Sequence, residues 1–360
     1  MSQPLKTQTA IVGSNSGDLT ISTQALVAET TGDVVLVRAK AVAVNPVDTK
    51  MVGPFVTPGA ILGSDFAGIV EEVGPDAAQH GVHVGGRVCG VLMGMNPLEP
   101  ALGAFAELVG CHAADLLRIP DSFSFEEAAS MNMGAMTAGL ALFKVLDVPG
   151  YPLHPTAVGA NGSNATVLVY GASTATGTTA IQLLKLSGLK VIATCSQSNF
   201  DMVRGYGADA VFDYHDPVCP AEIRALTKNG LRYVLDCIST TQSMEFCYSV
   251  IGRSGGRYTG LEPYSTSVAA TRKLIKANWV LGPVMVGRPI GWPAPYDRPA
   301  MPEMAEFGVR WIKTLQGLYD KRLLRPHPLI VRAGGLDGVF QGIQEVKAGG
   351  LSGKKLVYTL

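Results

Sequence analysis

An α/β fold in two parts, a partly closed β-barrel joined to a doubly wound parallel sheet, is what this chain predicts. Three observations carry the prediction. The N-terminal third is rich in short β-like runs punctuated by glycine. From Thr166 onward strands and helices alternate, the order that builds a parallel sheet with crossover helices. At 360 residues the chain exceeds a typical single domain, so two are expected.

The first part supplies β-like runs at Val34 to Val44, Gly68 to Val73, Arg87 to Val91 and Ala104 to Val109. Short strands with glycine turns suit an antiparallel barrel. From Ser124 the pattern turns helical through FEEAASMNMGAMTAGLALFKVL, with Ser124 as N-cap and Glu127 three residues on. Tyr151 to Ala165, rich in Pro, Gly and Asn, reads as a loop. Then comes TVLVYGASTATGTTAIQLLKLSG, Thr166 to Gly188: an apolar strand without alternation, as in a strand buried on both faces, turning through small residues into a helix. Later strands are expected at Lys190 to Ser196, Ala208 to Tyr214, Tyr233 to Ile238 and Gly256 to Leu261. A helix at Glu303 to Leu318 and the tail from Lys321 return to the first part.

Composition excludes several function classes. Lys plus Arg equals Asp plus Glu at 29 each and no basic tract occurs, which argues against nucleic acid or an anionic membrane as the main partner. The N-terminus lacks the apolar core of a signal peptide, and no stretch of about 18 unbroken apolar residues exists. A soluble, cytoplasmic protein is expected. Six cysteines are scattered without CxxC pairs, so neither a disulfide framework nor a structural zinc module is suggested.

The loop after the first parallel strand carries the chemistry. Gly171 allows the tight turn, Ala172 and Ala175 let backbone and ligand approach, and the free N–H groups of the helix start attract phosphate. The three-glycine dinucleotide fingerprint is not met. Between Gly171 and Gly177 stand Ser173, Thr174 and Thr176, hydroxyls able to donate to phosphate while still capping the helix. By itself such a turn is equally an ordinary capped connection. The next strand tips the balance, because the acid that normally holds a free ribose 2′-hydroxyl is missing and Cys195 and Ser196 stand there instead. Ser196, Gln197, Ser198 and Asn199 can bind a 2′-phosphate without repulsion, with Arg204 or Lys185 supplying charge. NADPH is therefore expected rather than NADH.

Several motifs together resemble the medium-chain dehydrogenase/reductase superfamily: Val44-Asn45-Pro46-Val47-Asp48-Thr49-Lys50, Leu62-Gly63-Ser64-Asp65-Phe66-Ala67-Gly68, Gly85-Gly86-Arg87-Val88, Gly103-Ala104-Phe105-Ala106-Glu107 and Gly353-Lys354-Lys355-Leu356-Val357. Within it the chain looks most like the trans-acting enoyl reductases of fungal iterative polyketide synthases, on GASTAT at 171–176, ATCSQSNFD at 193–201, FDYHDP at 212–217, LRYVLDCI at 231–238 and WPAPY at 292–296. The resemblance implies a GroES-like catalytic barrel at 1–130 and 300–360, a Rossmann cofactor domain at 131–299, and an active site in the cleft between them. It implies NADPH-dependent reduction of an α,β-unsaturated thioester on an acyl carrier protein of a partner synthase. The zinc signature of related alcohol dehydrogenases is absent, since Ser64-Asp65 replaces their His-Glu pair and the four-cysteine cluster is missing. His80 and His83 have no companion ligand nearby in sequence, and no metal is expected.

By resemblance, Lys50 reaches the nicotinamide ribose near the substrate carbonyl, and Thr137 lies beside substrate and cofactor. Judged by residue type alone, a lysine is solvated and a helical threonine bonds its own i−4 carbonyl. Position within matched motifs favours catalysis for both, as donors to a developing enolate oxygen. Val47, Asp48 and Thr49 are expected at the cofactor with Lys50, Asp48 either bonding a ribose or orienting Lys50 unless it is simply a turn residue behind Pro46, as are Tyr214 at a strand end, Gly260 and Leu261 at another, and Leu351 and Ser352 on the returning chain. The substrate wall is expected at Ala138, Gly139 and Leu140 and at Gly282, Pro283, Val284, Met285 and Val286, with Met133 and Met285 as adaptable surfaces. Prolines at 283, 289, 293 and 295 would remove donors from a sheet edge used for dimerisation, so a monomer is expected. Arg310, Lys313, Lys321, Arg322 and Arg325 form a basic cluster that either docks an acidic carrier protein or is simply solvated. Two other functions stay open: a general quinone or enone reductase of the same fold, and a non-catalytic NADPH-binding accessory protein.

Overall fold

The computed structural model describes residues 6–155 and 165–360, so most of the loop expected at 151–165 lies outside the described residues. The chain opens with a hairpin of β1 (Thr7–Gly13) and β2 (Leu19–Leu26), then runs through β3 (Val34–Ala43), β4 (Asp65–Val73), β5 (Arg87–Val91), β6 (Leu108–His112) and β7 (Leu117–Arg118). Helix α1 (Phe125–Gly139) follows and widens into a π-type turn at Leu140–Val145. Six strands and five helices come next: β8 (Thr166–Tyr170), α2 (Ala175–Leu186), β9 (Lys190–Cys195), α3 (Phe200–Gly205), β10 (Ala210–Asp213), α4 (Cys219–Leu226), β11 (Tyr233–Asp236), α5 (Thr241–Val250), β12 (Gly256–Gly260), α6 (Thr266–Thr271) and β13 (Ile275–Trp279). The return is α7 (Pro302–Asp320), β14 (Leu329–Arg332), α8 (Gly335–Lys347) and β15 (Lys355–Thr359).

These elements form two units, one of Met1–Met133 with Pro283–Leu360 and one of Gly134–Gly282. In the first, the strands follow the order β14-β15-β3-β4-β5-β7, with β6 also paired to β3. Every pairing is antiparallel except β14 with β15. Two register shifts in the long β3–β4 pair bend the sheet as bulges do. The hairpin packs through Ala10, Val12 and Ala25 onto Ile61 and Ala106. The second unit is a wholly parallel sheet of order β10-β9-β8-β11-β12-β13. Val167, Leu168 and Val169 at its centre have no exposed surface, which explains their unbroken apolar run.

Local signals account for the helix starts. Ser124 and Glu127 close a reciprocal capping box, Glu127 N–H donating to Ser124 Oγ at 3.1 Å and Ser124 N–H to the Glu127 carboxylate at 3.0 Å. Asn132 then donates its amide to Ala128 O at 2.9 Å, while the Met133 N–H turns to the Asp65 carboxylate at 2.9 Å.

The structure corrects three expectations and adds one element. The strand expected at Ala104 to Val109 begins at Leu108, because Ala104 and Phe105 bond Gly63 and Leu62 at 3.0 and 2.8 Å instead of joining a ladder. The hairpin β1–β2, mixed in burial and short of alternation, was not anticipated. Residues 283–299, expected in the cofactor domain, belong to the barrel unit: Gly291 N–H donates to Asn96 Oδ1 at 3.1 Å, and Trp292 Nε1 to Gly94 O at 3.2 Å. The two sheet edges are β10 and β13, neither of which contains proline, so the prolines at 283, 289, 293 and 295 block no donor there and the argument for a monomer loses its ground. Among the described residues no helix is long and apolar enough to cross a membrane.

Candidate active site

Strand order reverses between β8 and β11, and ligands of such sheets bind outside the carboxyl ends of the strands at that point. The chain leaves β8 through Gly171 at φ +72°, a conformation that L side chains resist. Thr174 caps α2, its Oγ1 accepting from Gly177 N–H at 3.0 Å. A Cβ on Gly177 would stand 2.6 Å from Gly171 O and 2.8 Å from Ala172 Cα, so the turn lies directly on the helix start. Ser173, Thr174, Ala175 and Thr176 are half-buried around the remaining N–H donors. This cradle of close backbone, hydroxyls and helix N-terminus fits a dinucleotide pyrophosphate.

After β9 a tight turn at Gln197–Asn199 holds the predicted phosphate residues together: Ser196 Oγ lies 3.3 Å from Ser198 Oγ and accepts from Asn199 Nδ2 at 3.0 Å. No acid stands at this strand end. Asn199 is buried and braces the turn, whereas Ser198 and Gln197 are exposed. Lys185 is withdrawn from the candidates, because its ammonium is bound by both oxygens of Asp209 at 2.8 and 2.9 Å. Arg204 stays close, 3.6 Å from Asp201 and over the Phe200 ring. Tyr214, beyond β10, lies against His215 with ring centroids 4.0 Å apart and planes tilted by 34°, and Asp213 fixes that imidazole at 2.9 Å.

Residues that sequence reasoning passed over lie at the switch point. Asp236 has no exposed surface and accepts from Ile238 N–H, Ser239 N–H, Ser243 Oγ and Tyr258 Oη, between 2.6 and 2.9 Å. Ser239 Oγ in turn accepts from Leu261 N–H at 2.6 Å, so one buried carboxylate shapes the ends of both β11 and β12, where Gly260 and Leu261 were expected to meet cofactor. The signal was present in LDCIST, as a strand ending on an acid followed by hydroxyls. Thr137 and Gly282 are brought together: a Cβ on Gly282 would lie 3.8 Å from Thr137 Oγ1. Gly139 and Leu140 mark the change from α to π winding, a local feature frequent at functional sites. Ala138 and Leu140 are fully buried, so their side chains pack rather than face a ligand.

In the barrel unit, Lys50 ends a single 3-10 turn, Asp48–Lys50, and is exposed. Thr49 Oγ1 donates to Pro46 O at 2.8 Å and Val47 is half-buried. Asp48 points inward, contrary to the expectation of a cofactor contact. Its carboxylate accepts from Asn45 N–H at 2.7 Å and Ser64 Oγ at 3.0 Å, and burial pushes its pKa up to about 7 against the pull of those bonds. Asp65 and Lys355 form a buried ion pair at 2.8 Å beside it. Leu351 and Ser352 precede β15 in the same unit, half-buried and exposed. Val284 and Met285 are buried and Pro283 and Val286 half-buried, with Met285 O packed against Gly308 of α7.

A zinc ion does not fit these donors. The Lys355 ammonium already occupies the Asp65 carboxylate, and the nearby Cys89 thiol is pushed by burial to about 12, far from a thiolate. No group of three or more metal-ligating side chains occurs among the described residues.

Comparison with known proteins agrees with this geometry. The family model for alcohol dehydrogenase GroES-like domains matches residues 31–121, and that for zinc-binding dehydrogenases matches 175–294. A trans-enoyl reductase of Fusarium sp., fsa3, is 56% identical over 353 residues, covering 98% of this chain and 99% of the relative. The chain belongs to the trans-enoyl reductases of the medium-chain dehydrogenase/reductase superfamily. Another trans-enoyl reductase, phm4 of Pyrenochaetopsis sp., is 53% identical over 98% of this chain and 96% of its own. Among solved structures, the CurK enoyl reductase matches the fold at 17% identity and TM-score 0.75, covering 98% of each chain. A putative zinc-dependent alcohol dehydrogenase of Rhizobium etli matches at 25% and 0.77, covering 100% of this chain and 99% of that one. Membership of this family of reductases implies a nicotinamide cofactor.

Proposed function

We propose that this chain is an NADPH-dependent enoyl reductase acting in trans on α,β-unsaturated acyl thioesters borne by the carrier protein of an iterative polyketide synthase. The observation that carries the reading is identity of 46–56% to trans-enoyl reductases across 98% of the chain, so both units and their loops are shared. Support for NADPH comes from the end of β9, where hydroxyls of Ser196 and Ser198 stand in place of an acid.

Bound NADPH supplies hydride from nicotinamide C4 to the substrate β-carbon. The protein's residues do the rest. The α2 start and its hydroxyls hold pyrophosphate, while the Ser196–Asn199 turn holds the 2′-phosphate. The ammonium of Lys50 and the hydroxyl of Thr137 donate to the thioester oxygen, where negative charge develops, and stabilise it as it forms. A proton from solvent completes the α-carbon. On the exposed face of α7, Arg310 and Lys313 receive the acidic carrier. Arg322 is removed from that cluster because it donates to Ser122 O at 2.7 Å, approaches Glu127 at 3.7 Å and covers the Phe123 ring.

The test follows NADPH consumption with a crotonyl thioester on pantetheine and on carrier protein, beside a small quinone. Turnover of thioester alone is expected. Turnover of quinone alone would make the chain a general reductase, and tight NADPH binding without turnover of either would make it an accessory protein.

A further inference from the structure

One buried polar network in the barrel unit joins residues far apart in the sequence. Lys355 on β15, 5% exposed, donates to Asp65 Oδ2 at 2.8 Å and to Asn45 Oδ1 at 2.5 Å. Asn45 returns its amide to the same Asp65 oxygen at 2.9 Å and its backbone N–H to Asp48 at 2.7 Å. Ser64 Oγ closes the other Asp48 oxygen at 3.0 Å. Asp65 Oδ1 meanwhile takes the Met133 N–H from within α1. Four chain segments that are remote in sequence therefore meet on one ion pair and one carboxyl, and the side chains of Asn45, Asp48, Ser64, Asp65 and Lys355 each have 5% or less of their surface exposed. Buried charge of this kind costs desolvation that an apolar core would avoid, so stability is a weak reason for it.

The two ends of the network are informative. At one end Asp48 begins the turn that ends in Lys50, and its bond to Asn45 N–H fixes the entry to that turn. At the other, Asp65 grips α1 at Met133, one turn before Thr137. We propose that the Asp65–Lys355–Asn45–Asp48 network is a positioning device that holds the Lys50 turn and the part of helix α1 up to Met133 in one frame, Asp48 acting on the turn only while it is ionised. The proposal rests on the assignment of Lys50 to catalysis made above. None of the four is a catalytic residue, since each acts through the turn or the helix.

Charge balance explains why Asp48 is the responsive member. Among the described residues one ammonium, Lys355, faces two carboxyls and lies against Asp65, leaving Asp48 with hydrogen bonds from Asn45 and Ser64 and no ion pair of its own among those residues. Asp65 raises the Asp48 pKa and Lys355 lowers it, and burial outweighs both, giving about 7. His327, buried near Lys355 and Lys354, is held down to about 4 and stays neutral through this range. Protonating Asp48 turns one acceptor oxygen into a donor that faces the donors Asn45 N–H and Ser64 Oγ. The turn then loses a tie.

The experiment measures kcat against pH for wild type, Ser64→Ala, Asp48→Asn and Lys355→Met, with NADPH affinity and amide exchange of residues 45–50 measured in parallel. For wild type, kcat is expected to fall as pH drops through about 7, with faster exchange in the turn over the same range. Ser64→Ala removes one donor to the carboxylate and shifts the fall to higher pH. Asp48→Asn abolishes it. Lys355→Met lowers kcat about 10²-fold, the scale of a small misplacement of a catalytic group, while NADPH affinity changes less than about threefold. An unshifted profile in Ser64→Ala, or a persisting inflection in Asp48→Asn, overturns the proposal. Should Lys355→Met fail to fold, the milder Ser64→Ala still decides. A wild type that reduces no enoyl thioester counts against the enoyl reductase reading instead, while the exchange profile of the turn still reports on the network.

Discussion

On the assignment proposed above, Lys50 and Thr137 contribute unequally at the thioester oxygen, because an ammonium offers a full charge and a hydroxyl only a dipole. Lys50→Ala is expected to lower kcat by about 10²–10³-fold, the usual loss for one donor to a developing oxyanion, with NADPH affinity changed far less. Thr137→Val should cost less, and Thr137→Ser should restore most of the rate; single-turnover reduction of a crotonyl thioester measures all three. At the end of β9, a carboxylate installed by Ser196→Asp would sit where the 2′-phosphate is proposed to bind, Ser196 Oγ lying 3.3 Å from Ser198 Oγ. Repulsion should raise the KM for NADPH by at least about tenfold and narrow its advantage over NADH, as in sites that select the unphosphorylated cofactor. An unchanged cofactor ratio would move the 2′-phosphate elsewhere in the unit.

Among the elements, the β8–α2 turn tolerates least. Gly177→Ala would place a methyl 2.6 Å from Gly171 O, so backbone must shift, and a loss of about 1–3 kcal/mol is expected from overpacking. Thermal unfolding should show the destabilisation, and NADPH titration a weaker site. Strand β6 is tied differently. His112 bonds Asp33 at 2.7 Å and Glu99 at 3.1 Å, and Arg288 reaches Asp115 and lies 3.6 Å from Glu99, which fastens the segment after residue 282 to the barrel. The bond to Glu99 raises the His112 pKa above 6.5, over the opposing burial and the Arg288 charge, with Asp33 helping. A histidine whose pKa is higher folded than unfolded lends stability that is complete below the unfolded value and vanishes as pH rises through the folded one. Wild-type melting temperature should therefore decline as pH climbs from about 6.5, and His112→Gln should flatten that part of the curve.

For the molecule as a whole, the carrier-docking idea separates from chemistry by substrate. Arg310→Glu with Lys313→Glu should raise KM for the carrier-bound thioester about tenfold, or roughly 1.4 kcal/mol, and leave the pantetheine thioester unaffected. Equal effects on both substrates would place the fault in the fold. Much of this molecule was legible in its residues. The unbroken apolar strand, the hydroxyl-bearing turn after Gly171 and the missing acid after β9 depend on neighbours in sequence, and each appears where local physics puts it. The β1–β2 hairpin, the placement of 283–299 and the fate of Lys185 were hidden, because each is fixed by a partner distant in the chain: Ile61, Asn96 and Asp209. The same divide runs through the site. Sequence alone determined the strand–turn–helix cradle with its hydroxyls and capped helix start, since backbone geometry and side-chain type suffice for that. Only tertiary structure decided that Asp48 turns inward to a network with Asn45, Ser64, Asp65 and Lys355, because burial and ion pairing depend on what the fold brings within about 3 Å, and spacing along a chain does not encode it.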